Sequence, residues 1–160
     1  SHSGNKSVVI YIAANADAAK YSSHANNLEH LQGVAQRLSL DDSKKYKLQF
    51  FYYRPNLVWG TTDVAANINH AEKIVVGIVS STEANVNTDY TYEEVITLEK
   101  TEGWKEYNIT FDLPDIIQKN PGKSFEKCAI FFNIVPEIDS AQKTLKTLVN
   151  LDDISLTETK

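Results

Sequence analysis

Tyr46-Lys47-Leu48-Gln49-Phe50-Phe51-Tyr52-Tyr53 is the stretch that decides the fold class of this chain. Side chains alternate between the two faces of a strand, so Tyr46, Leu48, Phe50 and Tyr52 share one face. Lys47, Gln49, Phe51 and Tyr53 share the other. Aromatic residues favour a pleated surface, and four in a row put two large rings on each side. A sandwich strand buried on one side alone has no packing use for the second pair. That second face is therefore either covered by loops or used for binding.

Strand patterns recur on both sides of this segment. Residues 6–12, 34–40, 73–79, 91–98, 104–111 and 125–135 alternate or are rich in β-branched residues, with polar or Gly/Pro-containing turns between them. Residues 13–27 and 56–70 read as long loops, the second holding Trp59, and residues 113–119 as a helical turn or an irregular segment. The last strand is Leu148-Val149-Asn150-Leu151-Asp152-Asp153-Ile154-Ser155-Leu156. Leu151 and Ile154 are three residues apart, so a regular strand cannot turn both to the core, and a bulge or turn is expected at Asp152-Asp153. About eight strands without a convincing long helix predict an all-β antiparallel β-sandwich of the jelly-roll kind.

With 160 residues and no internal repeat, the chain reads as a single β-sandwich domain over 1–160. The net charge of −5 argues against a nucleic-acid surface, which needs clustered Lys and Arg. No apolar run approaches the roughly 20 residues of a spanning helix, so membrane insertion is not expected. Cys128 is the one cysteine and reads as a small buried hydrophobe. The absence of methionine leads us to expect a domain excised from a larger multidomain protein.

The order of these segments resembles a known type. Ser3-Gly4-Asn5-Lys6-Ser7 before the first strand, the Tyr-x-Leu-x-Phe of Tyr46–Phe50, the Trp-containing strand Gly103-Trp104-Lys105-Glu106-Tyr107-Asn108-Ile109-Thr110-Phe111 and the terminal Leu151-Asp152-Asp153-Ile154-Ser155-Leu156 resemble bacterial carbohydrate-binding jelly rolls of the galactose-binding-like type. Residues 75–111 also resemble the cleaved-adhesin domains of secreted bacterial proteins. The resemblance implies an extracellular or cell-surface protein. It also implies a structural Ca2+ ion held by Asp152, Asp153 and Asn5, because calcium takes several hard oxygen ligands.

Glycan binding needs flat apolar rings for the sugar faces and planar polar groups for the hydroxyls. Two places supply this pattern. One is the non-core face of the central strand, with Gln49, Phe51 and Tyr53, joined by Asn133 from the 125–135 strand; Trp104 reads instead as a packed sandwich residue. The other is a loop set with Trp59, Tyr90 and Tyr92. Catalysis has little support. Glu93-Glu94, Asp41-Asp42 and Asp152-Asp153 are adjacent pairs, not acids opposed across a cleft, and no nucleophile elbow, phosphate loop or zinc-protease motif occurs. The expectation is a non-catalytic module that binds polysaccharide or glycan alongside other domains of its parent protein. The alternative is a structural or adhesive sandwich without a sugar site.

Overall fold

The computed structural model describes residues 7–12, 32–54, 71–80, 91–99, 103–136 and 147–159. Among the described residues the strands are β1 (Val8–Ile12), β2 (Gln32–Leu38), β3 (Lys45–Tyr53), β4 (Ala71–Ser80), β5 (Tyr92–Thr97), β6 (Lys105–Asp112), β7 (Cys128–Pro136) and β8 (Thr147–Thr159), with one helix, α1 (Leu113–Lys119), between β6 and β7. They form two four-stranded sheets, β1-β8-β3-β6 and β2-β7-β4-β5. Every pairing is antiparallel. β4 pairs with β5, β3 with β6, β2 with β7 and β1 with β8, so the chain folds back on itself and successive pairs alternate between sheets. That is the jelly-roll order.

Burial along β3 follows the sequence pattern. Tyr46, Leu48, Phe50 and Tyr52 are buried, while Lys47, Gln49, Phe51 and Tyr53 are half-buried on the outer side. Phe50 is fully buried and meets Phe132 of the opposite sheet edge-to-face, with centroids 5.1 Å apart at 87°. Burying one such ring contributes about 1.5–3 kcal/mol. Ile74, Val76 and Ile78 of β4 and Ile130 and Ile134 of β7 complete the inner layer.

The central strands β4 and β7 are buried on both sides. Val75, Val79, Ala129, Phe131 and Asn133 point away from the inter-sheet core, yet none exceeds 3% exposure. Gly77 has a packing reason: a Cβ there would collide with the Phe131 ring.

The helix is set by its ends. The Asp112 carboxylate accepts a hydrogen bond from the Asp115 N–H at 3.3 Å, Pro114 occupies the first turn, and Lys119 pairs with Asp115 at 2.7 Å. At seven residues it is held by tertiary packing, with Leu113 and Ile116 buried. Gly122 follows at φ 88°, a left-handed turn that glycine adopts without strain.

The expected bend at Asp152-Asp153 is a β-bulge. Ser155 pairs with Gln49 and Asp152 with Phe51, so Asp153 and Ile154 together oppose Phe50 alone. Asp153 adopts φ 48°, and its N–H donates to the Asp152 Oδ1 at 2.9 Å. The extra residue lets Leu151 and Leu156, five positions apart, both turn inward; Ile154 is left 41% exposed. A left-handed residue with a Cβ carries about 1–2 kcal/mol of strain, least for Asp and Asn. Chemical denaturation should therefore show Asp153→Gly at or above the stability of the parent. Asp153→Val should lose more than about 1 kcal/mol, since a β-branched side chain is poorly tolerated at positive φ. Equal stabilities of the two variants would exclude this backbone geometry.

Candidate functional site

The pairing of β3 with β6 and β8 sets its outward side chains into rows across the sheet. Tyr53 stands opposite Asn150, and its ring lies 5.7 Å from that of Trp104 at 41°. Phe51 lies between Glu106 and Asp152, Gln49 between Asn108 and Ser155, and Lys47 between Thr110 and Thr157. Neighbouring strands are about 4.8 Å apart and same-face residues about 6.7 Å apart along a strand. The result is a strip of three half-buried rings, Phe51, Tyr53 and Trp104, bordered by amides, hydroxyls and carboxylates. The Asn108 Nδ2 donates to the Glu106 Oε1 at 2.8 Å, which steadies both planar groups on the exposed surface.

The β3 end of the strip is pinned. Arg54, 6% exposed, donates from Nη1 to the Leu98 carbonyl at 2.8 Å and anchors the exit of β3 to the end of β5. The opposite end is tied through Lys45, which pairs with Asp112.

The structure thus brings Gln49, Phe51 and Tyr53 together, as expected. It separates Asn133 from them. Asn133 is in β7 of the other sheet, opposite Val75 and Gly33, on that sheet's outer side and 2% exposed. A Cβ on Gly33 would collide with its side chain. Tyr92 also leaves the expected loop set: it lies in β5, half-buried, and packs edge-to-face on Phe111 at 5.9 Å. There it closes the edge of the core, and desolvation, followed by the nearby Glu94, raises its phenol pKa. Trp59, Tyr90 and Asn5 lie outside the described residues. Trp104, expected to pack inside the sandwich, instead joins the outer strip beside Tyr53.

The adjacent acids have structural partners. Glu93 and Glu94 point to opposite faces of β5, and the Tyr107 hydroxyl donates to the Glu94 Oε1 at 3.0 Å. Asp41 accepts from the N–H and the hydroxyl of Ser43, which lowers its pKa. Asp42 accepts from the Phe125 N–H at 2.6 Å. Among the described residues no three His, Cys, Asp or Glu side chains gather as a metal site. Asp152 and Asp153 offer the oxygen chemistry that calcium prefers, but two residues fall short of the about six to eight ligand oxygens it takes.

No family model and no curated protein matches this chain. Solved structures do. One is described as carbohydrate-binding module CBM4, with TM-score 0.54 and 16% identity over 94% of this chain and 71% of that one. Another is a non-crystalline cellulose specific carbohydrate-binding module, CBM28, with TM-score 0.52 and 13% identity over 96% of this chain and 77% of that one. At these identities the likeness concerns the fold: two antiparallel sheets stacked as in those modules.

Cys128 is 6% exposed, its thiol lies 3.8 Å from the Leu38 carbonyl, and burial, followed by the nearby Asp42, pushes its pKa up to about 11. Thiol reagents react with thiolate, so the native protein should resist labelling at neutral pH and react with one equivalent when unfolded. Rapid labelling of the native protein would contradict this packing.

Proposed function

We propose that the chain is a non-catalytic glycan-binding module of a secreted or surface-displayed bacterial protein, and that the Phe51–Tyr53–Trp104 strip is its sugar platform. The observation that carries this is the placement of three rings on the outward side of β3 and its β6 neighbour, away from the core and among amides. Rings so placed offer apolar area to pyranose C–H faces, while Gln49, Asn108 and Asn150 supply hydrogen bonds in fixed rows. The fold shared with modules described as carbohydrate-binding supports the same direction. The structural work of Asp41, Asp42 and Glu94 supports a role without hydrolysis, because among the described residues none of them is opposed to a second acid across a cleft.

The direct test is binding of the intact chain to a panel of soluble oligosaccharides and insoluble polysaccharides. Phe51→Ala, Tyr53→Ala and Trp104→Ala should each weaken binding about three- to tenfold, the loss of one stacking contact. Absence of binding to every glycan would move the protein to the alternative of a structural or adhesive sandwich. Unchanged binding in all three variants would move the sugar site elsewhere on the molecule.

A structural calcium ion at the β8 bulge belongs to the same proposal, with Asp152 or Asp153 and loop oxygens as its ligands. A ligand that binds only the folded state raises its stability. Removing such an ion with a chelator should therefore lower the melting temperature by about 5 °C or more. An unchanged melting temperature would remove calcium from the account.

A further inference from the structure

β6 carries a motif whose reading is independent of the aromatic strip. The chain holds two Asn-x-Ser/Thr triplets, Asn5-Lys6-Ser7 and Asn108-Ile109-Thr110, the pattern at which glycans are attached to asparagine amides. The second has an acid two residues before its asparagine, giving Glu106-Tyr107-Asn108-Ile109-Thr110. Bacterial oligosaccharyltransferases take acceptors that carry this extra carboxylate. The first triplet has Ser3 in that place and lacks it.

Strand alternation brings the three chemistry-bearing residues of the longer motif to one face. Glu106, Asn108 and Thr110 stand opposite Phe51, Gln49 and Lys47 of β3, about 6.7 Å from one to the next. All three are exposed, whereas Ile109 between the last two is buried. Among the described residues β6 is an edge strand, paired with β3 alone. The Asn108 amide has two N–H groups, and its Nδ2 donates one hydrogen bond to the Glu106 Oε1. A sugar on the same nitrogen leaves one N–H for that bond. Transfer takes place as a chain leaves the membrane, before its strands pair. The fold then has only to keep the modified amide in solvent, and at Asn108 it does.

We infer that Asn108 is an N-glycan acceptor site for a bacterial-type oligosaccharyltransferase. The inference rests on the secreted bacterial reading above and not on sugar binding. The donor is a lipid-diphosphate-linked oligosaccharide. The amide nitrogen bonds to its anomeric carbon as the bond from that carbon to the diphosphate oxygen breaks; the lipid diphosphate leaves as an anion, and the displaced amide proton passes to solvent. Glu106 and Thr110 hold the acceptor segment in the transferase. The glycan so attached emerges in the row of Gln49 and Ser155, beside that of Phe51, so the modification also crowds the sugar platform.

The test secretes the intact chain from bacteria that hold such a transferase and a lipid-linked oligosaccharide of known mass, together with a reference acceptor. The purified protein should gain the mass of one oligosaccharide. Asn108→Gln and Thr110→Ala should abolish the gain, Glu106→Gln should reduce it at least about tenfold, and Asn5→Gln should leave it unchanged. No gain in the parent chain while the reference acceptor is modified, or a gain that survives Asn108→Gln, would overturn the assignment and leave the proposed glycan binding intact. A gain undiminished in Glu106→Gln would overturn the bacterial class of the transferase. On the glycan panel, the modified chain should bind about two- to tenfold more weakly than the unmodified one, the loss of a hydrogen bond from Asn108. Equal binding would overturn the crowding. Binding by neither form would overturn the platform and the crowding together, and leave the acceptor site standing on the mass.

Discussion

The register of β8 against β3 is the constraint on which the rest depends. β3 is paired along both edges, and β8 runs beside nearly all of it, from Asn150 opposite Tyr53 to Thr159 opposite Lys45. A strictly alternating β8 would turn either Leu151 or Leu156 to solvent, because their separation is odd. The inserted residue at Asp153-Ile154 resolves this conflict and keeps both leucines inward. The cost is local and limited: one left-handed backbone at Asp153 and one exposed Ile154. In return, the outward set on β8 changes phase and brings Asp152 alongside Phe51.

From that register the two faces of β3 acquire opposite roles. Inward, Phe50 locks the sheets together through its edge-to-face contact with Phe132. Outward, the same strand carries rings whose neighbours are polar and whose rows are fixed by main-chain hydrogen bonds. Rigid strands hold side-chain spacing better than loops do, so a sugar site here would be largely formed before binding. The Tyr53 and Trp104 rings are tilted by 41°, which makes the strip a shallow fold rather than a flat plane.

Much of this was legible in the residues, and the remainder was not for identifiable reasons. The alternation in 46–53 revealed the two faces of β3 because one face is apolar throughout and the other is mixed. The bend at Asp152-Asp153 was visible as an odd spacing between apolar residues. The alternation around Asn133 reveals a face and not a sheet, and its place in the sheet opposite β3 depends on which strands lie side by side, a long-range property. Tyr92 opens the strand expected over 91–98, and its nearness in sequence to Tyr90 groups it with the loop aromatics without revealing that its ring packs on Phe111. Trp104 and Glu106 join the site only through their cross-strand partners Tyr53 and Phe51, and one sequence carries no pairing signal for them. The seven residues of the helix over Leu113–Lys119, one of them a proline, show no recurring apolar stripe, so the sequence does not separate a helical turn from an irregular segment there.

The most direct measurement uses the scarcity of tryptophan. The chain has two, Trp59 and Trp104, so Trp59→Phe leaves Trp104 as the single indole reporter on the outer face. Titrating that variant with a glycan it binds should shift or quench its emission with the same half-saturation as binding measured by calorimetry. Saturable binding with an unaltered Trp104 emission would place the sugar away from the strip and contradict the account.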